Sequence, residues 1–124
     1  MNPPIRRINY SQVMGQVSSL RQLSQDTKKV ANDFDGVLLQ TVKVWSGDSS
    51  NEFKKQCGIM IGDINDTAKK INEIADKIAR AAEDIKREDD EYERRYREYL
   101  KEKERKEKEK KEQQKNLAQS KNAK

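Results

Sequence analysis

The chain has 124 residues, 40% charged and 32% hydrophobic, with 27 Lys+Arg against 22 Asp+Glu and a net charge of +5. So thin an apolar fraction, against about 45–50% in typical globular usage, excludes a thick core and favours long helices that each bury one stripe. With no histidine and one cysteine, Cys57, the sequence excludes a His-based triad, a His or Cys-cluster metal site and an intrachain disulfide.

Other classes fall away on motif grounds. There is no Gly-rich phosphate loop, of either the GxxxxGK[ST] or the GxGxxG kind. A non-enzymatic protein is expected, with no cofactor and no small-molecule substrate. Arg6 and Arg7 stand near the start, but no apolar run follows them to make a signal peptide. No apolar run exceeds Val37-Leu38-Leu39 in length, far short of the ~20 residues of a membrane span. A soluble chain is expected, and any export would use a route without a cleaved signal. The charge is unevenly placed. Residues 1–100 carry 17 basic and 17 acidic side chains, whereas residues 101–124 carry 10 basic and 5 acidic. The body is neutral and the tail is basic.

In chain order, residues 1–8 read as an arm. Asn9 and Gln12 then form a capping-box pattern, with Ile8 and Val13 at the staple positions. From there apolar or small residues recur in steps of four and three: Val13, Val17, Leu20, Ser24, Thr27, Ala31, Phe34, Leu38, Thr41 and Trp45. Leu23, Val30, Val37 and Val44 lie one place before members of the series and widen it. The period is helical. It predicts a first helix over about Tyr10–Val44, roughly 52 Å long.

Trp45-Ser46-Gly47 ends that helix, with Gly47 expected in the left-handed conformation as a C-terminal cap. Ser49 and Glu52 fit a second capping box, with Asp48 adding a favourable charge. Two helix signals so close together predict an antiparallel hairpin. The second stripe runs Phe53, Cys57, Met60, Ile64, Thr67, Ile71, Ile74, Ile78, Ala81 and Ile85, flanked one place on by Ile61, Ala68, Ala75 and Ala82. The expected fold is all-α. Its helix-pair core is expected at Val17, Leu20, Phe34, Leu38, Phe53, Ile64, Ile71 and Ile78, within a hairpin spanning residues 9–87. Pairing of two such hairpins into a four-helix bundle is expected to cover the wider flanks.

Beyond the hairpin, residues 88–115 are expected to continue as a charged helix and residues 116–124 to be disordered. Pairs such as Glu102–Lys106, Glu104–Lys108 and Glu107–Lys111 support that helix by about 0.2–0.5 kcal/mol each. Tyr92, Tyr96 and Tyr99 share one face there and form a candidate docking patch for the secretion machinery or a partner; the alternative is partial packing on the start of the chain, around Ile5 and Ile8. Gly15, Gly36, Gly58 and Gly62, with Leu39 and Ile59, lie off the seam as a possible second face.

A signal-less hairpin of this size with Trp45-Ser46-Gly47 at its bend, followed by Ser49 and Phe53, resembles the WXG-motif family. These are the early-secreted-antigen-like proteins of bacterial type VII (ESX) secretion. The resemblance covers residues 5–87. It implies a secreted hairpin that pairs with itself or a related hairpin, as a homo- or heterodimer. The chain would then be a type VII substrate, or the export partner of a toxin with a similar helical N-terminal region. It further implies recognition by the type VII secretion ATPase and a cytoplasmic pool before export. The family's Tyr-x-x-x-Asp/Glu signal is absent, because Tyr92, Tyr96 and Tyr99 are followed four residues on by Tyr96, Leu100 and Lys103. Two rival readings are a cytoplasmic coiled-coil adaptor and a nucleic-acid accessory protein acting through the basic tail. The second is weakened by the interleaved glutamates and by the lack of aromatics in the tail for stacking on bases.

Overall fold

The structure is a computed structural model that describes residues 1–122. It is all-helical, with α1 at Tyr10–Val44 and α2 at Asp48–Asn122, packed against each other as an antiparallel hairpin. Residues Asn9–Glu83 form the hairpin unit. Met1–Ile8 and α2 from Asp84 onward form a second compact unit. No helix among the described residues is long and apolar enough to cross a membrane.

α1 starts where its cap requires. Asn9 Oδ1 accepts from the Gln12 N–H at 3.0 Å, and the Asn9 carbonyl accepts from the Val13 N–H at 3.1 Å. The side-chain bond satisfies one backbone donor that a helix start leaves open, and the carbonyl bond is the first of the helix's own ladder. The helix is 35 residues long, the predicted length.

The bend differs from its prediction in one detail. Trp45 is the C-terminal cap of α1 and is extended, with φ −140° and ψ 126°. Gly47 does adopt a positive φ, +109°. Its carbonyl, however, accepts from the Asn51 N–H at 3.1 Å, so Gly47 caps the start of α2 rather than the end of α1. α2 therefore begins at Asp48, and Ser49, the expected cap, lies inside the first turn. The serine that ties the bend together is Ser50. It is fully buried and its Oγ donates to the Trp45 carbonyl at 2.9 Å. That bond satisfies one of the carbonyls α1 leaves open.

The core is made of small residues. Val17, Ser24 and Ala31 are buried on α1, seven apart. Cys57, Ala68, Ala75, Ala79 and Ala82 are buried on α2. The direction is antiparallel: Val17 clusters with Ala75, while Ser24 Oγ donates to the Ala68 carbonyl at 2.6 Å. This close approach corrects the expected seam. The buried row on α2 is Ala68, Ala75 and Ala82, which the periodicity had placed at the flank. Phe53 and Ile78, expected in the core, keep 39% and 37% of their surface exposed. Leu20, Phe34, Leu38, Ile64 and Ile71 are half-buried beside the small residues. Alanines let the backbones close up, and large side chains are then displaced to the edges of the contact.

The tail also differs from its prediction. α2 runs to Asn122, so residues 116–122 are helical where disorder was expected. Ala123 and Lys124 lie outside the described residues. Lys, Glu, Gln, Ala and Leu are all good helix formers, and ion pairs one turn apart reinforce them. Examples are Arg94–Glu98 at 2.9 Å and Arg105–Glu109 at 2.5 Å.

The glycines separate by conformation. A Cβ at Gly15 or Gly36 would meet nothing within 4 Å, and both positions are ordinary helix. Changing either to Ala is expected to stabilise the hairpin by about 0.5–1 kcal/mol. Gly47→Ala is expected to cost about 1 kcal/mol or more, because the residue is held at positive φ. Thermal unfolding followed by circular dichroism checks both signs. Equal shifts at Gly15 and Gly47 would mean that the bend carries no conformational demand.

Candidate interaction surfaces

The two edges of the helix pair have opposite chemistry. On one edge Arg21 reaches across to Asp76 at 2.7 Å and Asn72 at 3.2 Å. This edge is polar and bridged within the chain. Leu23, Val30, Val37 and Val44 lie one place before the buried row of α1 and are at least half exposed. Phe53, Met60 and Ile74 lie at the equivalent place on α2, with Met60 and Ile74 each 52% exposed. In an antiparallel pair, positions just before the buried row of both helices fall on the same edge, because reversing one strand mirrors its flanks. The hairpin thus presents an apolar edge formed by both helices, with no charged member among these seven residues. Such contiguous exposed apolar surface is the mark of an interaction site.

The bend motif closes one end of this edge. Trp45 stands 5.3 Å from Phe53 between ring centroids, tilted by 48°, and remains 39% exposed. Packing on Phe53 and presenting a ring face at the tip are therefore simultaneous. Ser46 and Gly47 make the turn between the helices.

The tyrosines belong to the other unit, and the arm lies against one of them. The Tyr92 hydroxyl donates to the Asn2 carbonyl. The Arg7 guanidinium binds Asp90 and also Glu93, the latter at 3.3 Å. The Ile8 N–H donates to an Asp89 carboxylate oxygen at 2.9 Å. Pro3 and Pro4 lack backbone donors, which keeps this segment out of helix. Between arm and helix lies a cavity of about 320 Å³ lined by Asn2–Arg7, Asp89 and Tyr92. Tyr96 and Tyr99 stack on each other instead, 6.2 Å apart. The three tyrosines thus divide: Tyr92 is held by the arm, while Tyr96 and Tyr99 form an aromatic pair with Tyr99 the more exposed.

Several of these contacts had no signal in the stripe pattern. Ser24 read as one small member of the first stripe, yet it is a buried donor to the opposite backbone. Arg7, Asp89, Asp90 and Glu93 read as ordinary surface charge. Their meeting depends on the arm folding back over more than eighty residues of sequence. Cys57 is buried, as its seam position predicts. Among the described residues no cluster of three or more acidic or cysteine side chains is placed to hold a metal. No family model, no curated protein and no solved structure matches the chain.

The arm contact is electrostatic and will answer to pH. Removal of water around Asp90 pushes its carboxyl up, but hydrogen bonds from Lys86 and Arg7, with their charges, outweigh this and hold it below its ordinary 3.8. A carboxyl lowered in the folded state contributes stability above its ordinary value and loses it as pH falls through the lowered one. The arm should therefore stay docked at neutral pH and loosen below about pH 3.8, or with added salt, since the pair is exposed. The Ile8 amide chemical shift reports this and is expected to move toward its unstructured value. Arg7→Ala should show the same shift already at pH 7. An unchanged shift in that variant would mean that the ion pairs do not hold the arm.

Proposed function

We propose that this chain is a non-enzymatic, WXG-like helical hairpin that pairs through its apolar edge and travels through type VII secretion. It would act either as a substrate or as the export partner of a larger toxin. The observation that carries this reading is a helical hairpin with Trp45-Ser46-Gly47 at its turn. The apolar edge supports it. Leu23, Val30 and Val37 with Phe53, Met60 and Ile74 form a face that a second hairpin, of this chain or a related one, would bury into a four-helix bundle. A core built on alanines also leaves large apolar side chains such as Val30, Met60 and Ile74 more than half exposed.

The rival is a cytoplasmic coiled-coil adaptor, favoured by the helical charged extension to Asn122. The experiment that separates them expresses the tagged chain in a type VII-competent bacterium, with and without a functional secretion ATPase. ATPase-dependent appearance in the medium, without leakage of a cytoplasmic marker, is the expected result. Retention in the cells even when a candidate partner is co-expressed would favour the adaptor.

The pairing itself has a direct test. In Val30→Glu combined with Ile74→Glu, both new carboxylates stand on the exposed edge, so the hairpin should stay helical. Association should weaken at least about a hundredfold, equivalent to ~2.8 kcal/mol, because each charge would lose water in the interface. Sedimentation equilibrium of the full chain checks this. A dimer unchanged by both substitutions would move the interface elsewhere.

A further inference from the structure

The unit formed by the arm and the end of α2 carries a periodic stripe of its own. Tyr96, Tyr99, Lys103, Lys106, Lys110 and Leu117 recur in alternating steps of three and four, with Gln113 filling the remaining step. α2 is continuous α-helix through this range, so these side chains share one face. The spacing is that of a coiled-coil seam, and from Tyr96 to Leu117 it covers about 31 Å. No acidic residue stands on it.

The glutamates of the same stretch sit beside the stripe, and several are engaged within the helix. Arg105 binds Glu102 and Glu109, each at 2.5 Å, and Lys108 reaches Glu104 at 3.4 Å. Lys103 and Lys110 make no ion pair among the described residues. Lys106 has a through-space attraction to Glu102, whose carboxyl is held low chiefly by Arg105. At the head of the stripe Tyr96 and Tyr99 stack, and Tyr99 is 39% exposed.

We propose that this stripe is one half of a heterotypic coiled coil. Its occupant is an amphipathic helix of another protein, with apolar residues opposite Tyr96 and Tyr99 and acidic residues opposite Lys103, Lys106 and Lys110. Lysine at a seam position weakens a coiled coil but selects partner and register, because only a facing carboxylate compensates it. Three lysines in succession make that selection strong. A second copy of this chain does not fit. Parallel pairing would set lysine against lysine. Antiparallel pairing with the stripes overlapped would do the same, setting Lys103 against Lys110 and Lys106 against itself. A shifted antiparallel register would reach Asp89–Glu93, which the chain's own arm already occupies through Arg7 and Ile8. A lipid or polyphosphate surface would read the charge but not the three-four register. This interface is separate from the hairpin's apolar edge and stands whether or not the hairpin is exported.

The test uses the full chain and two synthetic 28-residue helical peptides of identical composition. In one, three glutamates occupy consecutive seam positions next to two leucines. In the other, glutamines take those positions and the glutamates move to the outer face. Binding is read by fluorescence anisotropy at 50 and 300 mM salt. The seam-acidic peptide is expected to bind at least about tenfold tighter than the permuted one, and more weakly at high salt. K103E/K106E/K110E should lose that preference and bind a third peptide, with lysines at the three seam positions, more tightly than the native chain does. K103Q/K106Q/K110Q should lose it without reversal, and circular dichroism of both variants should show unchanged helix. Equal binding of the two acidic peptides, or no binding of either, overturns the proposal. So does tight binding to phosphatidylglycerol vesicles or single-stranded DNA when neither peptide binds, or salt-sensitive self-association abolished by K103Q/K106Q/K110Q.

Discussion

The close approach of the two helices at small side chains is the constraint on which the hairpin depends. Where Val17 and Ser24 meet Ala75 and Ala68, both alanines are fully buried, and the Ser24 hydroxyl reaches the opposite backbone. A tight contact maximises dispersion per residue, but alanine buries little area, so the hydrophobic gain from this core is modest. The larger residues that would supply more are pushed to the edges, half-buried or exposed. The same packing that holds the pair together therefore leaves its best hydrophobic groups for another surface. Any side chain larger than alanine at Ala68 or Ala75 would trade one against the other, separating the helices while covering the edge.

How far this was legible in the sequence follows from the kind of information involved. α1 could be bounded at both ends because its cap, its period and its stop signal are all local. The antiparallel pairing followed from two such helices joined by a short bend. The seam was misplaced by one residue because periodicity weighs isoleucine above alanine, while the approach distance is set by the smallest residues. Ser49 and Ser50 offer the same chemistry, and only the path of the chain after Gly47 decides which hydroxyl faces the Trp45 carbonyl. That the arm could cover Tyr92 was legible from its place beyond the end of α1, but its ionic partners Asp89, Asp90 and Glu93 were illegible for a different reason. Its partners are far apart in sequence, and neither side carries a pattern that names the other. The helical tail was misjudged because low apolar content was read as disorder, whereas its ion pairs and helix propensity act without a core.

The two units use different forces. Asn9–Glu83 is held by apolar contact and answers weakly to salt. The arm contact and the extension of α2 rest on exposed ion pairs, which salt screens and which individually contribute little. Ionic strength is therefore a means of changing one unit while leaving the other alone. It separates interactions made by the apolar edge from interactions made by the charged stripe.

Cys57 gives the hairpin a chemical clock. Its sulfur is the single thiol of the chain and is 4% exposed within the helix pair. A thiol reagent or an oxidant reaches it when the helices part, so the rate of attack measures how often the hairpin opens. The closed hairpin shields that sulfur from sulfenic acid formation and from mixed disulfides in an oxidising milieu. Exposure to such a milieu during any interval spent unfolded would leave a lasting mark, because an oxidised sulfur is larger and more polar than the site it must return to. The order of events would then matter more than the final conditions. A chain that refolds before meeting oxidant keeps its core, and a chain that meets oxidant first does not.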